Sequence, residues 1–95
     1  MRALALLALL TSLPGCQPRL TAEECVSLLD HYTLLVIEQA QPDATTQERA
    51  VSIKKAREAA ARDPEFASCS NRVSRNQFNC ALAAYNADQV ERCLL

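Results

Sequence analysis

Large apolar residues recur along the chain at three- and four-residue steps, which is the spacing of one face of an α-helix. Such stripes run from Cys25 to Val36, from Phe78 to Tyr85 and from Val90 to Leu94. Between residues 45 and 62 the spacing is carried mainly by small side chains, and the predicted inner face there comprises Ala50, Ile53, Ala56 and Ala60. No β-branched residues cluster in alternating runs, so we expect no strand.

Polar residues at the predicted helix starts can accept hydrogen bonds from backbone N–H groups that have no partner inside a helix. Four segments place Glu or Gln three residues after a capping residue, which is the spacing of a capping box; they begin at Thr21, Thr45, Ser74 and Asn86. A fifth start is predicted at Asp63, because Pro64 follows it and proline suits the first helical position.

Pro42 lies in the only obvious break between the two long predicted helices, which we expect to form an antiparallel hairpin. Three shorter helices are predicted at about 64–72, 75–84 and 87–94. The predicted fold class is all-α, a small disulfide-stapled bundle of about four to five helices that follows a cleaved signal peptide. A chain of 95 residues has room for one such domain.

The first fifteen residues have a different pattern. Arg2 supplies a minimal positive charge, residues 3–10 form an uninterrupted apolar run, and residues 11–15 form a short, more polar stretch that ends in Gly15. This order is typical of a secretory signal peptide, and the apolar run is too short for a stable transmembrane anchor.

Leu13-Pro14-Gly15-Cys16 resembles the lipobox of bacterial lipoproteins, in which a leucine precedes the cysteine by three residues and a small residue stands just before it. The resemblance covers residues 1–16. It implies cleavage before Cys16, lipidation of that cysteine with diacylglycerol and acylation of the new amine. It also implies attachment to a membrane through this lipid anchor. We therefore divide the chain into a signal peptide (1–15), a lipidated tether (16–20) and a helical domain (21–95).

Gln17 bears on the location that this resemblance implies. In the lipoprotein family an aspartate after the cysteine often retains the protein at the inner membrane, and this chain has Gln17 instead. The expected location is the cell envelope, with the outer membrane favoured over the inner membrane.

Four cysteines remain beside the lipidated Cys16, and an even number in a small exported domain suggests two disulfides. They are Cys25, Cys69, Cys80 and Cys93. The predicted hairpin would bring Cys25 close to Cys69. Cys80 and Cys93 lie at similar numbers of residues on either side of a predicted turn near residues 85–86. These relations favour Cys25–Cys69 with Cys80–Cys93. Cys69 and Cys80 are equally well placed on either side of a predicted turn near residue 73. The sequence therefore does not decide which cysteines are paired.

Composition and spacing argue against several kinds of chemistry. Of ten Lys and Arg, nine remain after removal of Arg2, against eleven Asp and Glu, and such a balance does not suit nucleic acid. The one glycine rules out a phosphate-binding glycine loop. The cysteines are too far apart for a zinc module, and the single histidine, His31, completes no metal motif and is predicted to be exposed.

Tyr32 and Tyr85 are predicted to be core residues with their hydroxyls at the rim. We therefore predict no catalytic residue, metal or cofactor, and a protein that is not an enzyme.

A membrane anchor and a stapled fold without recognised chemistry favour a small protein-interaction module of the envelope, whose partner is another envelope protein of unknown identity. The alternative is an inhibitor or immunity lipoprotein that acts on a toxin or an envelope hydrolase. Such an inhibitor needs a projecting anchor residue or a charged rim, and the sequence offers no clear candidate for either.

Overall fold

A computed structural model describes residues 19–95; the predicted signal peptide, Cys16 and most of the tether lie outside the described residues. Within this range the chain forms helices and no strand. In chain order they are α1 (Ala22–Ala40), α2 (Thr46–Ala60), α3 (Pro64–Ala67), α4 (Cys69–Arg72), α5 (Arg75–Leu82) and α6 (Ala87–Cys93). Two disulfides connect them. The predicted fold class, an all-α bundle stapled by disulfides, is confirmed.

The helix starts follow the capping chemistry. Thr21, Thr45 and Ser74 each form a reciprocal capping box with the residue three positions later. At the first of these, Thr21 Oγ1 accepts from the backbone N–H of Glu24 at 3.1 Å, and Glu24 Oε1 accepts from that of Thr21 at 2.9 Å. Asp63 and Asn86 cap α3 and α6 with their side-chain oxygens. All five predicted starts are therefore confirmed.

Helices α1 and α2 form the hairpin expected around Pro42. Arg57 on α2 makes a two-pronged ion pair with Asp30 on α1, with Nε 3.0 Å from Oδ1 and Nη2 2.5 Å from Oδ2. α2 contributes no buried residue. On its predicted inner face Ile53 is only half-buried, and Ala50 is exposed. α2 therefore covers one side of α1 without taking part in the core.

The single helix predicted at 64–72 is wrong, because the structure has two one-turn helices that meet at Ser68. The Ser68 hydroxyl donates to the carbonyl oxygen of Glu65 at 2.8 Å, and the backbone N–H of Ser68 bonds the same carbonyl. Local bonds of this kind compete with a continuous helix.

The core lies between α1 and the C-terminal helices. Its buried members are Leu20, Cys25, Leu28, Cys69, Phe78, Ala81 and Val90. Leu20, which the sequence places in the tether, is 3% exposed and packs in this cluster. So few large buried side chains give a small hydrophobic stabilisation, which is the condition in which covalent cross-links matter most.

The bridges are Cys25–Cys69, with a Cα–Cα distance of 6.3 Å, and Cys80–Cys93, with a Cα–Cα distance of 5.7 Å. The pairing favoured by the sequence is thus the one in the structure. Cys25 and Cys69 are buried, whereas Cys80 is exposed and Cys93 half-buried. The first bridge holds α4 against α1 inside the core, and the second joins α5 to α6 near the surface.

Candidate functional site

An open groove of about 510 Å³ lies between the N-terminal half of α1, the short helices α3 and α4, and the C-terminal end of α6. Its lining is mainly apolar, and the side chains at its margin are mainly charged. The apolar lining comprises Cys25, Leu28, Leu29, Tyr32, Phe66, Cys69, Val73, Val90 and Leu94. The charged margin comprises Asp63, Glu65, Arg72 and Glu91.

The local sequence explains why the groove exists. Asp63 and Pro64 start α3 and place Phe66 against the core, where it stays half-buried. α4 has no side-chain cap, and Cys69 within it is fixed to α1 by the disulfide with Cys25. α3 and α4 have four residues each, and both contribute lining residues to the groove. The uncovered surface between them and α6 is the groove.

A hydrogen bond crosses one edge of the groove. The Tyr32 hydroxyl donates to Glu91 Oε2 at 2.7 Å and so ties α1 to α6. This bond and partial burial raise the pKa of Tyr32, since both favour the protonated phenol. Glu91 is thereby held at the margin of the groove with its charge beside the apolar lining.

At the other end of α6, the turn of residues 83–86, here called the α5–α6 tip, presents Tyr85 to solvent with 86% of its surface exposed. The backbone N–H of Tyr85 donates to Gln89 Oε1 at 2.6 Å, and that of Gln89 donates to Asn86 Oδ1 at 2.8 Å. The backbone of the tip is therefore fixed, although the phenol ring projects freely.

A second, smaller hollow of about 340 Å³ lies beside the tip. It is lined by Leu35, Glu38, Gln39, Tyr85, Asn86 and Asp88. Both charged residues of this hollow are acidic, and neither takes part in an ion pair among the described residues. The hollow shares no lining residue with the groove, so these two concave surfaces are separate.

The prediction that Tyr85 is a core residue is wrong. The predicted apolar stripe of α5 continues to residue 85, but the helix ends at Leu82. Asn86 caps α6 and needs an extended backbone, so the chain must leave α5 before that residue. Tyr85 falls in this exit turn, where no helix face directs it inward. By contrast, Tyr32 is half-buried with its hydroxyl at the rim, as expected.

His31 is not the exposed helix residue that its helical phase predicts. It is half-buried, and its Nε2 lies 3.2 Å from the carbonyl oxygen of Ala84 in the tip. α1 packs against both α2 and the C-terminal helices, and the tip covers part of the α1 face that carries His31. His31 thus supports the tip.

The remaining candidate residues can also be placed. All four disulfide cysteines lie in the bridges described above, whereas the lipidation site Cys16 lies outside the described residues. Within residues 19–95, no three His, Cys, Asp or Glu side chains gather where they could hold a metal ion. No helix in the same range combines the length and the apolarity needed to cross a membrane.

No protein-family model matches the chain, and neither the curated proteins nor the solved structures compared with it include a match. The function must therefore be inferred from the two surfaces and the N-terminal motif. Sequence periodicity does not identify the groove, because its lining combines residues of α1, α3, α4 and α6 that are far apart in the chain. The position of Asn86 in its capping motif was the signal that could have identified the exposed tip.

Proposed function

We propose that this chain is a lipid-anchored protein-interaction module of the bacterial cell envelope, which binds an amphipathic segment of another envelope protein in its groove. The observation that carries the proposal is the apolar groove with an acidic margin on a small, doubly bridged helical body. Docking of an amphipathic helix in an apolar groove is a recurrent mode of protein recognition.

The charges at the margin specify the chemistry of the partner. Asp63, Glu65 and Glu91 contribute three carboxylates, whereas Arg72 contributes one guanidinium. A partner segment with apolar residues toward Leu28 and its neighbours, and with Lys or Arg along its flank, would complement this arrangement. Charge complementarity of this kind mainly increases the association rate and the selectivity.

The anchor would concentrate the domain at a membrane surface. Each buried methylene contributes about 0.8 kcal/mol, so the two or more chains expected on Cys16 give stable attachment. Leu20 belongs to the packed core and follows Cys16 by four residues. Even a fully extended chain of that length spans at most about 14 Å, which would keep the groove close to the lipid headgroups.

Intact mass spectrometry of the membrane-extracted protein, with and without reductant, tests the anchor. We expect loss of residues 1–15, the added mass of the acyl chains and a further mass increase on reduction. Cys16→Ser is the matched control and should yield an unacylated protein. Recovery of wild-type protein with residues 1–15 still attached would contradict the anchor.

The groove is tested by comparing two charge reversals of equal size. Glu65→Lys reverses a charge at the groove margin, and Glu58→Lys does the same on the exposed side of α2. Each lipidated variant is crosslinked in its native membranes, purified and analysed by quantitative proteomics. We expect a protein whose recovery falls with Glu65→Lys and not with Glu58→Lys. Equal recovery of all proteins with both variants would contradict docking in the groove.

The second candidate is the inhibitor or immunity lipoprotein, and Tyr85 favours it because an inhibitor needs a projecting residue of this kind. Cells that lack the gene would be challenged with culture supernatants that contain toxins or envelope hydrolases. Reduced survival against one of them, restored by the wild-type gene, would support this function. Unchanged survival against all of them would count against it.

A further inference from the structure

We infer that the α5–α6 tip is a second protein-binding site, in which Tyr85 enters an apolar pocket bordered by Lys or Arg on a partner protein. This inference goes beyond the groove and rests on the proposed function only in placing the partner in the cell envelope. Exposure, a fixed backbone and local charge at the tip support it independently of one another.

The exposure of Tyr85 is unusual for this chain. Only four aromatic residues are present, and the other three pack in or against the core: Phe78 is 6% exposed, and Tyr32 and Phe66 are half-buried. Tyr85 is 86% exposed at a turn. Tyrosine is among the residues that dominate binding energy when they fill a pocket at the centre of an interface.

The backbone that carries Tyr85 is held by contacts from several directions. Gln89 accepts from the backbone N–H of Tyr85, and the His31 ring lies within hydrogen-bond distance of the carbonyl of Ala84. The Cys80–Cys93 disulfide joins the two helices that flank the tip. A turn fixed in this way loses little conformational freedom on binding, which is the main benefit of preorganisation. A tyrosine ring with two side-chain torsions adds a small ordering cost of its own.

The charges beside the tip indicate what surrounds the pocket of the partner. Glu38 and Asp88 line the hollow next to Tyr85, and they are its only charged lining residues. Carboxylates at the edge of an interface favour a partner with cationic groups opposite them and disfavour an acidic one. We therefore assign a partner pocket with an apolar interior and a basic border.

The tip is distinct from the groove in position. The groove takes its α1 residues from Cys25 to Tyr32, whereas the hollow beside the tip takes them from Leu35 to Gln39. The centres of these two segments are about nine residues apart, which is about 13 Å along a helix. One partner could contact both surfaces, or a second partner could bind the tip alone.

Site-specific photo-crosslinking tests the inference in the lipidated, full-length protein. p-Benzoylphenylalanine replaces Tyr85 in one strain and Ala59, an exposed residue of α2, in the control strain. After irradiation of the producing cells, crosslinked species are identified by mass spectrometry. We expect one envelope protein to crosslink at position 85 and not at position 59. Absence of a product specific to position 85, or a product that contains only a second copy of this chain, would overturn the inference.

The crosslinked protein is then purified, and its affinity is measured for the wild type, Tyr85→Ala and Tyr85→Phe. Loss of the ring should weaken binding by at least about tenfold, whereas Tyr85→Phe should retain most of the affinity. Glu38→Lys should weaken binding and reduce its salt dependence, because the introduced lysine would offset the charge of Asp88. A Tyr85→Ala affinity within about twofold of the wild type would also overturn the inference. If Glu65→Lys loses a partner while Tyr85→Ala loses none, the proposed groove stands and the tip site does not.

Discussion

Arg75 on α5 forms a two-pronged ion pair with Glu24 in the first turn of α1. Nη1 bonds Oε2, and Nη2 lies 3.1 Å from Oε1. The same carboxylate accepts the backbone N–H of Thr21, and the guanidinium lies over the Phe78 ring, 5.6 Å from its centroid. Arg75 Nη2 also reaches the carbonyl of Arg19 at 3.4 Å. One side chain therefore fixes the beginning of the domain, where the tether arrives, to a core helix.

This ion pair should make stability depend on acid pH. The hydrogen bond from Arg75, followed by the backbone hydrogen bond from Thr21, lowers the pKa of Glu24 to about 2 from an ordinary value of 4.5. Because the folded-state pKa is the lower one, the stabilisation is complete above about pH 4.5 and is lost as the pH falls toward about 2. Denaturant unfolding measured across this range should show a free energy of unfolding that decreases with falling pH.

Glu24→Gln should remove part of this slope, and Glu23→Gln, an exposed neighbour, serves as the control. The slope should not vanish entirely, because the hydrogen bonds from Thr45 also lower the pKa of Glu48. If Glu24→Gln and the wild type lost stability in parallel over this range, the ion pair would not be the cause.

The two disulfides should differ in their contributions to stability. Cys25–Cys69 joins residues 44 positions apart, and Cys80–Cys93 joins residues 13 apart. Chain-entropy reasoning assigns about 4 kcal/mol to the longer loop and about 3 kcal/mol to the shorter one. Cys25→Ala/Cys69→Ala should therefore lower the unfolding free energy more than Cys80→Ala/Cys93→Ala. Equal losses in urea titrations would show that loop length does not decide the difference.

The bridges should also open in a defined order under mild reduction. A reductant must reach a sulfur atom, and Cys80 is exposed, whereas Cys25 and Cys69 are 3% and 8% exposed. Brief treatment with dilute reductant, followed by alkylation and peptide mapping, should label Cys80 and Cys93 first. Labelling of Cys25 and Cys69 at the same rate would mean that the core opens as readily as the surface.

The sequence predicted those features of the fold that local chemistry determines. Capping residues such as Thr45 and Asn86 identified helix starts because their hydrogen bonds are made within three residues. The bridge from Cys25 to Cys69 followed from a hairpin whose turn was visible at Pro42. The apolar spacing continues past Leu82, where α5 ends, and it therefore predicts wrongly that Tyr85 lies in the core.

The groove was less accessible to sequence reasoning than the helices. Its lining brings together residues of α1, α3, α4 and α6, and the hydrogen bond at its edge joins Tyr32 and Glu91, which are 59 residues apart. Relations of this kind arise from tertiary packing. A single sequence carries no local signal for them, although it does carry one for the cap that exposes the tip.

Helix α2 should be the least stable long helix of the domain. It buries no residue and rests on α1, and its ion pair with Asp30 uses an Arg57 side chain that is 54% exposed. Helices with few buried contacts open locally below the free energy of global unfolding. In native-state hydrogen exchange, amides of Thr46–Ala60 should therefore exchange faster than those near Leu28 in α1.

The cap of α2 provides the mutational test of this local opening. Thr45→Ala removes the side-chain oxygen that accepts from Glu48 N, a change that typically costs about 1 kcal/mol and would accelerate local exchange about fivefold. Thr46→Ala, one residue later and outside the capping bond, is the control. Because the Cys25–Cys69 bridge encloses all of α2, the helix can open while both ends of its segment stay attached to the core. Thr45→Ala should thus change exchange in α2 and leave the amides near Leu28 unaltered; acceleration of both regions by the same factor would mean that the two helices unfold as one unit.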